Sequence, residues 1–231
     1  SMAFDREQFI ELFLNGRGQP AIGPIPPGFP TYDPAATNPH ARFDLAAARA
    51  KLAEAERANG GAIPPLTLLM PGTDTSARQM AEYMKKQMAR LGLGLNVEYR
   101  TWARFQEMID LKQAQFYSLG WMADYPDEQT FLQLFWSKNE APGPNSANYA
   151  NPEYDALYER AMTMNPGAER DDLYRQMQRI VMEDVPWLLS FYPVSYTLYY
   201  DWVEGLVSNE YAHGARKFLD LRLEQRAERK R

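Results

Sequence analysis

Two aspartates three positions apart, Asp124 and Asp127, are the first residues in this sequence whose type and spacing could do chemistry. Paired carboxylates cleave glycosidic bonds when one serves as the acid and the other as the base or nucleophile. These two lie in a turn around Pro126, where aspartate is favoured because its side chain caps the backbone. The spacing therefore favours turn formation, and a carboxylate-dependent hydrolase is kept as a remote alternative.

The stretch that leads into this turn is better suited to binding than to catalysis. It contains GWMADY at 120–125, where a predicted strand over 115–121 ends. Ligands dock at the carboxyl ends of strands in α/β sheets. Asp124, between Trp121 and Tyr125, offers a charge and two flat apolar walls to a ligand ammonium group. We predict Asp124, Trp121 and Tyr125 as ligand-binding residues, and the alternative that both aromatic residues belong to the core stays open.

Other catalytic and metal-binding patterns are missing from the sequence. The chain has no cysteine, which excludes disulfides, thiolate catalysis and cysteine-based zinc sites. The two histidines, His40 and His213, have no neighbours at ligand spacing, and no GxSxG motif occurs. The GLGL at 92–95 follows a predicted helix instead of opening one, which is the wrong context for a phosphate loop. We therefore predict no catalytic residue, no metal and no cofactor.

Composition places the chain among ordinary globular proteins. It has 231 residues, 45% of them hydrophobic, which is enough to bury a sizeable core. The net charge of -5 argues against a nucleic-acid partner, because such binders carry a basic face. No apolar run approaches the ~18–20 residues of a membrane span. The opening Ser1-Met2 resembles a cloning remnant, so we expect Phe4 to begin partway through a longer natural protein.

Hydrophobic periodicity predicts helices that alternate with strands. The predicted helices cover 5–15, 45–58, 76–91, 102–112, 128–136, a segment starting at Asn151-Pro152, and 168–184. The predicted strands cover 66–70, 94–100, 115–121 and 187–200, the last interrupted by Pro193. A proline-rich loop at 17–42 and a polar loop at 137–150 complete the chain. This order predicts an α/β domain with helices on both faces of its sheet.

Several of these helices carry clear local signals. Asp44 and Asn151 are predicted to cap the helices that follow them, because their side chains can accept hydrogen bonds from free backbone N–H groups. Met80, Met84 and Met88 recur at helical spacing, which is typical of a buried face and not of a metal site. The sequence thus assigns the methionine row to the core.

Separated motifs in the chain resemble the dipeptide- and oligopeptide-binding proteins of ABC importers, which form extracellular solute-binding protein family 5. The clearest is GWMADYPDEQTFLQLF at 120–135, followed by NYANPEYDALYERA at 148–161. The resemblance continues through 169–206 and also includes AFDREQFIELFLNGRGQPAIGPIPP at 3–27 and FDLAAARAKLAEA at 43–55. Because these motifs occur in the family's order, the resemblance covers almost the whole chain.

The resemblance implies a particular fold and domain organisation. Family members have two lobes joined by a hinge, so this chain is expected to be the C-terminal lobe of a type II periplasmic-binding-protein-like fold. That lobe is α/β, with a mixed sheet and helices on both faces. We expect it to occupy 1–186, with 187–200 as a hinge-crossing strand. The tail at 201–231 would belong to the first lobe, which is otherwise missing.

The resemblance also implies a site and partners. In peptide-binding relatives the Asp and Trp of the GWxADY motif take the peptide's α-ammonium group and line the pocket, and these correspond to Asp124 and Trp121. The lead-in at 113–117 departs from the family pattern. Relatives also carry nickel complexes, haem or oligosaccharides, so a non-peptide solute stays an alternative. The implied partners are a peptide or other small solute and the importer's permease. A further alternative is that this lobe acts mainly as a docking surface for the permease. The expected protein is a periplasmic or lipid-anchored monomer that is not an enzyme.

Overall fold

The computed structural model describes residues 1–206, 217 and 219–224. His213, which sequence reasoning rejected as a metal ligand, and most of the tail expected to belong to a first lobe lie outside the described residues. Within that part, no helix is long and apolar enough to cross a membrane.

Seven helices and seven strands are present in the described ranges, together with two short 3₁₀ turns at Gln133–Phe135 and Ser137–Asn139. The helices are α1 (Arg6–Leu14), α2 (Leu45–Asn59), α3 (Thr75–Ala89), α4 (Trp102–Asp110), α5 (Gln129–Leu132), α6 (Pro152–Ala161) and α7 (Ala168–Asp184). The strands are β1 (Gly18–Pro20), β2 (Leu66–Pro71), β3 (Leu95–Arg100), β4 (Phe116–Tyr117), β5 (Phe191–Pro193), β6 (Val203–Glu204) and β7 (Asp220–Leu221).

The predicted caps are confirmed. The Asp44 side chain accepts a hydrogen bond from the Ala47 N–H at 2.9 Å. Asn151 accepts from the N–H groups of Glu153 and Tyr154, with Pro152 at the first position of α6. These bonds satisfy backbone donors that the first turn of a helix leaves free, which is why the sequence located both starts correctly.

The main sheet is parallel and has the strand order β3-β2-β4. Alternate residues of β2 face opposite sides, so Leu68 and Met70 pack with α2 and α3, whereas Leu69 packs against Phe105 and Ile109 of α4. The connection from β2 to β3 and the connection from β3 to β4 run in opposite directions across the sheet. Two right-handed crossovers of this kind place α3 and α4 on opposite faces. The predicted α/β fold with helices on both faces is confirmed.

A second core lies in the helical half formed by α5, α6 and α7. Its fully buried members include Phe135, Tyr154, Tyr174 and Met177, with Ile25 contributed by the proline-rich loop. The Tyr154 hydroxyl donates to the Leu132 carbonyl at 2.6 Å, which satisfies a polar group in this dry core. The burial of Ile25 shows that the proline-rich loop is wrapped over this half of the molecule.

Two strands, one helix and one loop differ from prediction. The helix predicted over 128–136 is α5 followed by the 3₁₀ turn at Gln133–Phe135. β4 covers Phe116–Tyr117 only, because the chain leaves the sheet before Gly120 and pairs with β2 at just two positions. The predicted strand 187–200 is reduced to β5, whose last residue, Pro193, has no N–H to continue a ladder. β5 pairs antiparallel with β1, a strand inside the segment expected to be an irregular loop. That pairing needs a partner more than 170 residues away, which local periodicity does not reveal.

Candidate functional site

A cleft of about 740 Å³ opens beside β4, between the parallel sheet and the helical half. This volume lies in the range of about 300–1,000 Å³ that is typical of small-molecule sites. We call it the central cleft. Its walls come from α4, from 114–121, from the loop at 142–148, from 186–191, and from Phe4, Phe9, Leu68, Met70, Met80, Met84 and Leu134.

Exposed aromatic and aliphatic side chains line much of the central cleft. Trp102 is 58% exposed, Leu119 43% and Trp121 40%, and large apolar side chains exposed together mark interaction sites more often than single ones do. Trp187 also contributes to the wall. Concave apolar surface with a few polar groups is the usual make-up of a site for a small ligand.

The three predicted ligand-binding residues lie on one loop but not in one wall. Trp121 lines the central cleft, whereas Asp124 and Tyr125 are exposed and are not among its lining residues. All three follow β4 by several residues, so they do not sit at the strand end as the sequence predicted. Within the described ranges, the Asp124 carboxylate takes no hydrogen bond or ion pair, which leaves its charge free for a ligand.

Thr130 joins the two most important of these residues. Its hydroxyl oxygen accepts hydrogen bonds from the Trp121 indole Nε1 at 3.4 Å and from the Asp124 backbone N–H at 3.3 Å. Thr130 is completely buried at the start of α5. A buried hydroxyl that holds both the indole and the backbone of the loop fixes their relative position without touching solvent.

Asp127, the second aspartate of the turn, is fully engaged by the protein. Its carboxylate pairs with Arg170 Nη2 at 2.5 Å and accepts from the Tyr174 hydroxyl at 2.9 Å and from the Gln129 N–H at 3.0 Å. Burial, followed by this hydrogen bond to Asp127, raises the pKa of Tyr174 above its usual range. These contacts hold the turn against α7, and they leave Asp127 poorly placed to act as a hydrolytic acid or base.

Tyr125 is held by a short relay of side chains. Its hydroxyl donates to the Gln129 amide oxygen, and the Gln129 amide donates to the Tyr158 hydroxyl. Burial, together with the Asp127 and Asp124 carboxylates, raises the pKa of Tyr125. The phenol is protonated at neutral pH, and its one proton is donated to Gln129.

The loop at 137–150, predicted only as polar, is pinned by one buried amide. Asn145 is fully buried, and its Nδ2 donates to the carbonyls of Trp136 at 3.0 Å and Tyr149 at 2.8 Å. Its Oδ1 accepts from the Tyr149 N–H at 3.1 Å. The Tyr117 hydroxyl donates to the Ser146 carbonyl at 2.5 Å and ties the same loop to β4. These bonds tie this wall of the cleft to its neighbours, and an asparagine in a polar stretch of sequence does not predict them.

The described residues contain no candidate metal centre. Among the described residues, no group of three or more His, Asp or Glu side chains is placed to hold a metal ion. His40, the described histidine, is half-buried in the proline-rich segment.

The sequence model of the bacterial extracellular solute-binding proteins, family 5, middle region, matches residues 1–143. The chain belongs to this family. The matched range contains Trp121, Asp124 and Tyr125, together with α4, β4 and most of the residues that line the central cleft. Family 5 proteins are the solute-binding components of ABC importers, so the family inferred from the motifs is confirmed.

Curated relatives in family 5 bind different solutes. The chain is 28% identical over 218 residues to heme-binding protein A of Haemophilus influenzae, which covers 92% of this chain and 39% of that protein. It is 26% identical over 208 residues to di/tripeptide-binding protein 2 of Pseudomonas aeruginosa, which covers 87% of this chain and 37% of that protein. The chain thus spans about two fifths of the length of these relatives.

Solved structures of family members share the fold. HbpA2 from Haemophilus parasuis matches with a TM-score of 0.78 at 23% identity, over 96% of this chain and 43% of that one. The periplasmic protein DppA from Helicobacter pylori, in complex with the peptide STSA, matches with a TM-score of 0.74 at 24% identity, over 83% of this chain and 37% of that one. These matches confirm the predicted fold, that of the type II periplasmic binding proteins.

The Thr130 contacts lead to a test of how the loop is held. We expect Thr130→Val to shift the indole Nε1–H resonance of Trp121 and to weaken binding of any solute that contacts Trp121 about threefold to tenfold, the size of one lost neutral hydrogen bond. Valine matches threonine in shape but cannot accept from the indole or the backbone.

Thr130→Ser is the matched control, because it keeps the hydroxyl and should leave the resonance near its original position. Nitrogen–proton NMR spectra resolve the indole signals, and Trp121→Phe assigns the one in question. An unmoved Trp121 signal in Thr130→Val would show that the hydroxyl does not hold the indole.

Proposed function

We propose that this chain is the solute-capturing C-terminal lobe of a periplasmic binding protein, which delivers peptides to the permease of an ABC importer. The central cleft carries the proposal. It is a largely apolar cavity of ligand size, and Trp121 of the GWMADY loop lines it. Di/tripeptide-binding relatives from the same family support peptides as the solute class. Capture and release need no bond cleavage, and the engagement of Asp127 by Arg170 and Tyr174 supports a binding protein over a hydrolase.

The proposal includes the domain organisation expected from the sequence. Residues 1–186 form the lobe, 187–200 cross a hinge, and 201–231 belong to a first lobe that the chain otherwise lacks. The segment after β5 supports this division, because Leu198 is 94% exposed, Tyr196 73% and Tyr200 65%. Apolar side chains in such a row are normally covered, and an opposing lobe would cover them.

Binding in the complete protein would proceed by closure of the two lobes around the solute. Closure is favoured only by contacts that exist in the closed state, so the solute itself supplies the difference in free energy. Asp124, free of partners among the described residues, would pair with the peptide's α-ammonium group as water is excluded. Trp121 would form an apolar wall beside it. The protein acts as a monomer in the periplasm, tethered to the membrane by a lipid where the longer protein carries one.

Removing the Asp124 charge tests this assignment. In the complete two-lobed protein we expect Asp124→Asn to weaken binding of a tripeptide with a free amino terminus at least tenfold, since the ammonium group is then left unpaired in the closed state at a cost of about 2 kcal/mol or more. N-acetylated tripeptide, which has no ammonium group, should bind the wild type and the variant equally. Since one lobe is half of a clamp, affinities in this chain should be weaker than micromolar, and NMR titration measures them.

Asp172→Asn is the matched control, because Asp172 is an exposed aspartate on α7 that pairs with Arg175 away from the loop. It changes the net charge by the same amount and should leave the affinity unchanged. Equal affinity of the free tripeptide for wild type and Asp124→Asn would contradict the role of Asp124.

A haem-type solute is the second candidate. It is supported by the 28% identity to heme-binding protein A and by the aromatic lining of the cleft. Native mass spectrometry of the chain after incubation with a tripeptide mixture and with haem separates the two. A peptide adduct supports a peptide as the solute. A haem adduct without a peptide adduct would instead make haem the solute.

A further inference from the structure

One charged side chain stands out in the wall of the central cleft. Of the described residues that line it, Asp110 is the one with a formal charge, and neither lysine nor arginine is among them. Asp110 is exposed, and within the described part of the chain its carboxylate has no hydrogen bond or ion pair. The cleft therefore presents a single free negative charge in an otherwise uncharged wall.

Asp110 belongs to a row of side chains along one face of α4. Trp102, Gln106 and Asp110 are four residues apart, so they lie one above another on the helix, and all three line the cleft. The residues between them that point the other way, Phe105 and Ile109, are buried against Leu69 of the sheet. We call this set the α4 row. It offers an aromatic face, an amide and a carboxylate in sequence along about 12 Å of helix.

The position of Asp110 is unfavourable for the helix itself. It is the last residue of α4, where the carbonyl ends of the helix concentrate negative charge and favour a cation. No basic residue is present in the last turn to offset it. A carboxylate that opposes the helix dipole, takes no partner among the described residues and faces a cavity is better explained by a ligand than by stability.

We propose that the α4 row selects the solute by charge, so that the cleft prefers peptides with a cationic side chain beside an apolar one and rejects acidic peptides. This inference rests on the proposed function and names the class of peptide. The cation pairs with Asp110, the aromatic face of Trp102 receives the apolar side chain, and Gln106 hydrogen-bonds the backbone between them. A length of about 12 Å matches three to four residues of extended peptide.

Three tripeptides that differ only in the charge of the middle residue test the proposal: Ala-Lys-Phe, Ala-Gln-Phe and Ala-Glu-Phe. We expect the lysine peptide to bind the chain about tenfold more tightly than the glutamate peptide in NMR titrations at low salt, with the glutamine peptide between them. The preference should shrink as salt is added, because exposed charges are screened.

Variants at Asp110 assign the preference to this carboxylate. Asp110→Asn should bring the three affinities within about twofold of one another, and Asp110→Lys should reverse their order. Asp172→Asn on α7, which changes the net charge equally, should leave the wild-type order intact. Because removing Asp110 relieves the helix dipole, the variants are expected to melt no lower than the wild type, which separates selectivity from misfolding.

The outcomes are distinguishable. Binding of all three peptides with equal affinity overturns charge selection and leaves peptide capture in place. A lysine preference that survives in Asp110→Asn also overturns the assignment. No binding of any of the three overturns the proposed function and this inference with it.

Discussion

Replacing Arg6 with methionine is expected to lower the free energy of unfolding by about 3–5 kcal/mol. Arg6 is only 4% exposed at the start of α1, and its guanidinium donates to the Leu189 carbonyl at 2.7 Å and to the Ala41 carbonyl at 2.6 Å. Methionine fills a similar apolar volume but leaves both carbonyls without these donors. Hydrogen bonds from a charged group contribute about 1.5–3 kcal/mol each, so losing two accounts for the expected size.

The Arg6 contacts explain why so large an effect is expected from one arginine, a residue type that usually lies at the surface. They connect α1 to the end of the proline-rich loop and to the segment just before β5, so three distant parts of the chain meet at one guanidinium. Burial lowers the pKa of Arg6 to about 10, which still leaves it charged at neutral pH. In the described contacts this charge is solvated by backbone carbonyls and by the Ser1 hydroxyl, to which Nη2 donates at 2.8 Å, and removing it therefore loosens the joint between these three segments.

Urea unfolding followed by circular dichroism measures the effect. Arg17→Met is the matched control, because Arg17 is exposed and its Nε donates only to the Leu14 carbonyl one turn back, at 3.1 Å. That variant should change the free energy of unfolding by less than about 0.5 kcal/mol. If Arg6→Met proved as mild as Arg17→Met, the guanidinium would not be holding the three segments together.

Local signals in the sequence predicted the parts of the fold that depend on neighbouring residues. Asp44 and Asn151 cap the predicted helices, and Met80, Met84 and Met88 face the core, because capping and helical periodicity are set within a few positions. The buried strand beginning at Leu66 and the helix after it were also located correctly. For the same reason the family motifs, which are contiguous, could be recognised.

Features that depend on distant residues could not be predicted. β2 continues through Met70 and Pro71, but the chain leaves it after Tyr117, so two residues pair instead of the seven predicted over 115–121. Tyr117 and Asn145 bond to a loop whose sequence is simply polar. Apart from Trp121, the lining of the central cleft was not predicted, because α4, the segment 114–121 and Trp187 come together only through tertiary packing.

Asp127 shows both sides of this division. Its place in a turn was predicted from Pro126 and the aspartate spacing, and the turn is present. Its partners Arg170 and Tyr174 lie more than 40 positions away and carry no local mark of the pairing. Sequence spacing raised the possibility of a carboxylate pair with Asp124. In the fold, Asp127 instead contacts residues of α7, and Asp124 is exposed to solvent.

Removing the Asp127 carboxylate is therefore expected to cost about 2–4 kcal/mol of stability, because it strands the largely buried Arg170. The Arg170 side chain is 13% exposed and that of Asp127 is 24% exposed, so water replaces little of the lost interaction. In the described structure the Arg170 Nε is already buried without a hydrogen-bond partner. Asp127→Ala would leave the guanidinium with the face of Tyr174, 5.1 Å from its ring centroid, as its nearest compensation.

A comparison on the same helix isolates the buried pair. Asp172 and Arg175 form an exposed ion pair on α7, and Asp172→Ala should change the free energy of unfolding by less than about 1 kcal/mol. The double variant Asp127→Leu with Arg170→Met should recover much of the stability that Asp127→Ala loses, since two apolar groups can replace a buried ion pair at little cost. Urea unfolding of the set gives each value. Similar small losses for Asp127→Ala and Asp172→Ala would mean that Asp127 only shapes its own turn. A large loss for Asp127→Ala that the double variant restores would mean that the loss comes from the stranded Arg170 charge, at the pair that joins α7 to the turn following Asp124.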